Sequence, residues 1–171
     1  RNPQSLVDSP GVVLDYVMVY SSLLNVQFGG LGSHKVGAAS VYRNETSDYW
    51  NWYVHPEVMN ATMNGLLWSH GVNSQISMTV LNAPGQWGNQ TGDAMFDNYI
   101  YNDSLMLNGV ASPMMVGLSG VPAGSYDLYL YGHGAGNSQY SRFVPVISGQ
   151  SYGIRQTTTS DCWQQPIGTM W

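Results

Sequence analysis

The chain has 171 residues, which is the length of one domain and enough to sustain a core without cross-links. Only 9% of them are charged, against roughly 25% in an ordinary soluble domain, and the net charge is −5. A single lysine (Lys35) and four scattered arginines (Arg1, Arg43, Arg142, Arg155) make no basic stripe, which excludes nucleic-acid binding.

No apolar run reaches the ~20 residues that span a bilayer, so no transmembrane segment is expected. Two glutamates and one lysine are too few to solvate helical bundles or coiled coils. Asn, Ser, Thr and Tyr on a wet face suit strands and turns instead. Cys162 is the lone cysteine, so no intrachain disulfide forms, and it reads as a small buried residue rather than a reactive thiol. The chain opens on Arg1 rather than Met with no signal pattern before it. That is expected of a processed chain or an excised fragment.

In chain order, Gly11–Tyr20 is a β-branched and aromatic run after Pro10, and Ser22–Phe28 is a second run closed by Gly29-Gly30. Ala38–Tyr42 is short and rich in small residues. A helix over Ala61–His70 has a cap in Asn60 and a stop in Gly71, but Asn64-Gly65 in its middle opposes it. Gln75–Leu81 alternates, with Ile76, Met78 and Val80 on one face and Ser77 and Thr79 on the other. Asn98–Tyr101, Met114–Leu118, Ser125–Tyr131 and Arg142–Ile147 follow as strands. Ser125–Tyr131 is the strongest, opening after the turn Val121-Pro-Ala-Gly124. Turn markers recur roughly every ten residues, the spacing of a sandwich. The expected fold is all-β: one antiparallel β-sandwich over residues 1–171, jelly-roll-like. Residues 1–21 form an N-terminal strand segment.

No catalytic set stands out. His34, His55, His70 and His133 lie in no metal-protease or deaminase spacing, and no nucleophile elbow is present. Gly30-Leu-Gly-Ser33 and Gly132–Gly136 lack the lysine and following helix of a phosphate loop. Asp93 and Asp97, beside Asn98, offer oxygen ligands at a spacing open to Ca²⁺. The alternative is that these carboxylates accept backbone N–H groups and fix a long turn.

Aromatics cluster at Asp48-Tyr49-Trp50-Asn51-Trp52-Tyr53, and Trp87 sits in a turn before Asn89. Trp50, Trp52, Tyr53 and Trp87, with Asn51 and Asn89, are the candidates for a sugar platform. Ring faces stack on pyranose C–H groups while amides bond hydroxyls. In a strand, Trp50 and Trp52 would share one face, and core packing of these rings is the competing expectation. Four sequons place glycosylation acceptors at Asn44, Asn60, Asn89 and Asn102.

Several phrases occur together: Asn25–Phe28 with Gly29-Gly30, Val36-Gly-Ala-Ala39, Asp48-Tyr-Trp-Asn51 and Leu81-Asn-Ala-Pro-Gly-Gln-Trp-Gly88. Further on come Gly92-Asp-Ala-Met-Phe-Asp-Asn-Tyr-Ile-Tyr101, Gly117-Leu118, Val121–Gly134 and Thr157-Thr-Thr-Ser160. In this order they resemble β-sandwich modules of large secreted planctomycete and verrucomicrobial proteins, often with PEP-CTERM-type sorting tails. The resemblance spans residues 24–163, most specifically 92–101 and 121–134. It implies an extracellular, non-catalytic, carbohydrate-binding-module-like jelly roll without supplying a ligand. It also implies two further closing strands. Their place would be taken by another chain, unless this chain is a fragment.

The expected function is therefore a structural subunit of a surface or filament-like assembly. Val12, Val13, Leu14, Tyr16, Val17, Met18, Val19 and Tyr20 are its candidate assembly strand, pairing with a neighbouring subunit. Homo-oligomers or polymers are the expected partners, with no cofactor other than the candidate Ca²⁺. The alternative is a carbohydrate-binding module that takes an extracellular polysaccharide. A secreted hydrolase is the weakest reading.

Overall fold

Strand β6 (Ser77–Leu81) shows how the sequence builds the fold. Its alternation buries Met78 and Val80 completely and leaves Ser77, Thr79 and Leu81 half-buried. The computed structural model describes residues 6–7, 13–14, 23–38, 47–88, 94–102, 113–132 and 141–156. Among these the protein is all-β, with no helix, and so no helix long and apolar enough to cross a membrane.

In chain order the strands are β1 (Leu6–Val7), β2 (Val13–Leu14), β3 (Val26–Phe28), β4 (Asn51–Tyr53), β5 (Ala61–Met63), β6, β7 (Gly85–Gly88), β8 (Asn98–Tyr101), β9 (Met115–Ser119), β10 (Arg142–Phe143), β11 (Val146–Ile147), β12 (Gln150–Ser151) and β13 (Arg155–Gln156). The largest sheet has the order β5-β6-β9, antiparallel throughout. Strands β7 and β8 form an antiparallel ribbon, and the pairs β1-β2, β10-β13 and β11-β12 are short antiparallel ribbons. One pair departs from the antiparallel expectation: β3 and β4 are parallel, with Gln27 opposite Trp52. Parallel neighbours need a long crossover, which the Gly29–Trp50 connection supplies.

The main core gathers Tyr53, Leu66, Ile76, Met78, Val80 and Ala83, with Phe28, Ile100 and others packed around it. Phe28 and Tyr53 meet as tilted rings 5.9 Å apart. A second, smaller cluster holds Trp50, Met95 and Phe96, with the Tyr131 ring edge-on to Phe96 at 6.2 Å.

No helix forms over residues 61–70, as the Asn64-Gly65 pair in the middle argues. Strand β5 takes the start of this segment, and Gly65 turns at φ +66°. The chain then folds back on itself: Leu66 N–H donates to Ile76 O, Ser74 N–H to Leu66 O and Trp68 N–H to Val72 O. The Asn64-Gly65 break outweighs the cap at Asn60, because glycine is poor in a helix and good at positive φ.

The segment expected as a strand over Arg142–Ile147 is split at Pro145, which has no N–H for a ladder. Its second half makes a hairpin through Ser148 and Gly149, both at positive φ, as a two-residue turn of this kind requires. Residues 125–131 belong to no ladder, although their composition is the most strand-like in the chain. A propensity for β structure needs a neighbouring strand to express it. Of Gly11–Tyr20, Val13–Leu14 pairs with Leu6–Val7 and the rest lies outside the described residues. Ala38 is in no strand, and 39–42 also lie outside them.

Candidate functional site

The aromatic run 48–53 is divided between two interiors. The Trp50 indole is buried in the smaller core and donates to Gly37 O at 2.8 Å. Tyr53 is buried in the main core, and that burial pushes its phenol above its ordinary pKa. Asn51 is 1% exposed and bridges two segments of the chain. Its amide nitrogen donates to Asn25 O and Leu67 O, and its oxygen accepts from Leu67 N–H. None of these three side chains is open to a sugar in this arrangement. Trp52 is half-buried, stacked on the His34 ring at 4.6 Å and 13°, with its indole N–H on Gly29 O.

Trp87 is different. It is 54% exposed on β7, flanked by Gly85 and Gly88. The β7–β8 register sets Trp87 opposite Tyr99 and Gly85 opposite Tyr101. Partners directly opposite in an antiparallel pair share a face, so Trp87, Tyr99 and Tyr101 occupy one face. The other face looks inward: Ile100 packs on the main core, Asn98 is buried, and the Gln86 side-chain oxygen accepts from His55 N–H. Tyr99 and Tyr101 were not among the sequence candidates. The alternation Asn98-Tyr99-Ile100-Tyr101 was the available signal, since it places both tyrosines opposite Ile100.

The proposed metal ligands are placed as follows. Asp97 is buried, with Gly32 and Gly88 packed closely against it. The Asn98 amide holds the 29–35 loop: its oxygen accepts from Gly32 N–H and its nitrogen donates to Ser33 O. Asp93 lies outside the described residues, among which no group of three His, Cys, Asp or Glu could hold a metal ion.

His55 is a structural staple, 3% exposed, with Nε2 donating to Ala83 O at 2.9 Å and Nδ1 accepting from Glu57 N–H at 3.0 Å. Those two partners fix the neutral ring with its proton on Nε2.

Of the sequons, Asn60 is exposed, with its side-chain oxygen accepting from Asn82 N–H, and Asn102 is exposed beyond β8. Asn44 and Asn89 lie outside the described residues, as do Val12, Tyr16, Val17, Met18, Val19, Tyr20 and Cys162.

No protein-family profile, curated protein or solved structure matches this chain.

Two surfaces stand out chemically. One is the aromatic face of the β7–β8 ribbon. The other is aliphatic and spreads over β9 and residues 121–132 and 141–154. Within it, Tyr126, Leu128, Leu130, Phe143, Pro145 and Ile147 line a groove of about 500 Å³, together with Tyr152 and Arg155. The alternation of residues 126, 128 and 130 toward this groove, with Tyr131 turned to Phe96, is that of an extended strand.

Proposed function

We propose that the protein is a non-catalytic structural subunit of an extracellular assembly, a surface layer or filament, in which jelly-roll-like β-sandwich subunits join by strand pairing. The observation that carries this reading is an uncovered core row. The ladder lines up Ala61, Val80 and Val116 in one row and Met63, Met78 and Leu118 in the next, all on the same face. Val80 and Met78 are 0% exposed, yet at β9 the same rows end with Val116 at 46% and Leu118 at 47%. The core-facing side of the sheet is thus covered over β6 and open over β9.

All five residues of β9 are exposed and none is charged. Among the described residues its outer edge pairs with no strand. Natural sheets guard such edges with charge, which this strand lacks. A strand from a neighbouring chain would satisfy the free N–H and C=O groups and cover the open row together. The head-to-tail contact so made does not close on itself and propagates. The resemblance to secreted planctomycete and verrucomicrobial modules supports an extracellular setting.

The test is sedimentation velocity with negative-stain imaging, on the full chain and on a chain lacking residues 1–20. The full chain is expected to form concentration-dependent polymers. The truncated chain is expected to stay small and to take up a synthetic peptide of residues 11–20. Assembly that survives the truncation overturns donation by this segment. A full chain that stays monomeric at every concentration overturns the subunit reading.

A further inference from the structure

Beyond assembly, we propose that the outward face of the β7–β8 ribbon, formed by Trp87, Tyr99 and Tyr101, is a stacking site for a neutral glycan chain. The ladder puts the three rings on one face while Ile100 and Asn98 anchor the other to the interior. The ribbon is therefore held from behind and presents Trp87 to solvent, with Tyr99 and Tyr101 half-buried beside it.

Gly85 completes the surface. A Cβ built there would stand 2.6 Å from the Tyr101 hydroxyl oxygen and 2.9 Å from its ring carbon. The Tyr101 ring thus lies across the place of the missing side chain, flat on the ribbon, in the way an aromatic covers a cross-strand glycine. The two rungs span about 7 Å along the strands and about 5 Å across them. That footprint suits a short run of sugar rings.

The chemistry of the strip selects its occupant. Residues 85–88 and 98–102 carry no charge, so the strip itself offers nothing to an ionic group. The chain as a whole is at −5, which disfavours an acidic polysaccharide. The strip holds aromatic rings and phenol hydroxyls, and no Val, Leu or Met. A protein partner is better matched by the aliphatic surface at Val116, Leu118 and Leu128. A pyranose presents a C–H face to a π-system and hydroxyls at its rim to amides and phenols. A neutral glycan answers both features.

The experiment is native affinity electrophoresis of the full chain through gels containing hydroxyethylcellulose, barley β-glucan or galactomannan, with alginate as the acidic counterpart. Retardation is expected in at least one neutral gel. Trp87→Ala should weaken it by about tenfold, and Trp87→Phe, which keeps a ring, by less. Gly85→Val should weaken it too, by pushing the Tyr101 ring aside. Circular dichroism confirms the fold of each variant.

Trp87→Ala should leave the sedimentation profile unchanged, which separates this site from assembly. Three results would overturn the site: no retardation in any neutral gel, retardation unchanged in Trp87→Ala, or retardation only in alginate that salt abolishes.

Discussion

The side-chain amides of Gln27 and Asn98 both donate to the Ser33 carbonyl, at 3.0 and 2.9 Å. The two residues come from β3 and β8, and the loop between them is closed from both ends. Gln27 also donates to Ala94 O and accepts from Lys35 N–H, while Asn98 accepts from Gly32 N–H. A buried amide pair thus fixes the 29–35 loop against β8, and with it the strand that displays Tyr99 and Tyr101. No backbone ladder joins β3 to β8. The side chains do that work.

Gln27→Leu should therefore destabilise the fold well beyond a surface change. It removes three hydrogen bonds from a residue that is 3% exposed and strands the Ala94 carbonyl and the Lys35 N–H, while the Ser33 carbonyl keeps its bond from Asn98. A loss of about 2–4 kcal/mol is expected, given ~1 kcal/mol per bond and 1–3 for a buried group left without a partner. Urea unfolding reads it. A change below about 0.5 kcal/mol would mean that water replaces the amide at no cost.

Gly120 ends β9 at φ +75°, and a Cβ there would lie 2.7 Å from Gln75 O. Backbone sits on the other side of that contact, so no flexible side chain can give way. Gly120→Ala should cost about 1–3 kcal/mol, the usual range for a strained backbone position. Thermal melting at fixed pH measures it, with Gly71→Ala as a reference. Gly71 also has positive φ but nothing within 4 Å of its Cβ, so the difference between the two isolates the contact.

Tyr53 gives a pH dependence. Its phenol is raised by burial, so the native state holds the proton more tightly than the unfolded chain. Below the unfolded value of about 10 both states are protonated and stability is independent of this group. Above it the unfolded chain loses its proton first, so stability falls as pH rises through the alkaline range. Urea midpoints measured from neutral to alkaline pH should decline, and Tyr53→Phe should make the decline shallower. An equal slope in the variant would assign the alkaline loss to other tyrosines.

What the sequence made legible follows its periodicity. Strands expected over 75–81, 98–101 and 114–118 are found at 77–81, 98–101 and 115–119; in the first, period 2 with one buried face describes the half-buried strand observed. The exposed place of Trp87 was also readable from its turn-like neighbours. Three things were not. The parallel β3–β4 pair rests on Asn51 and Asn25, whose partners are distant in sequence. The second core around Trp50 depends on Met95 and Phe96, which come from far along the chain. That residues 125–131 join no ladder depends on what lies beside them, which no local pattern encodes.

The open row on β9 yields the sharpest comparison within one strand. Leu118 lies opposite buried Met78, on the core-facing side, while Ser119 lies opposite Ser77 on the other. Covering a half-exposed leucine contributes about 1 kcal/mol, and a lysine in its place adds a charge that a partner strand would have to desolvate. Lysine at Ser119 meets no such cover. If a neighbouring chain packs on the core-facing side, Leu118→Lys should reduce the polymer to small species in sedimentation velocity, and Ser119→Lys should leave its size distribution intact. Both residues lie on the same edge, so disruption by both would locate the contact in the strand edge alone. Disruption by neither would remove β9 from the interface.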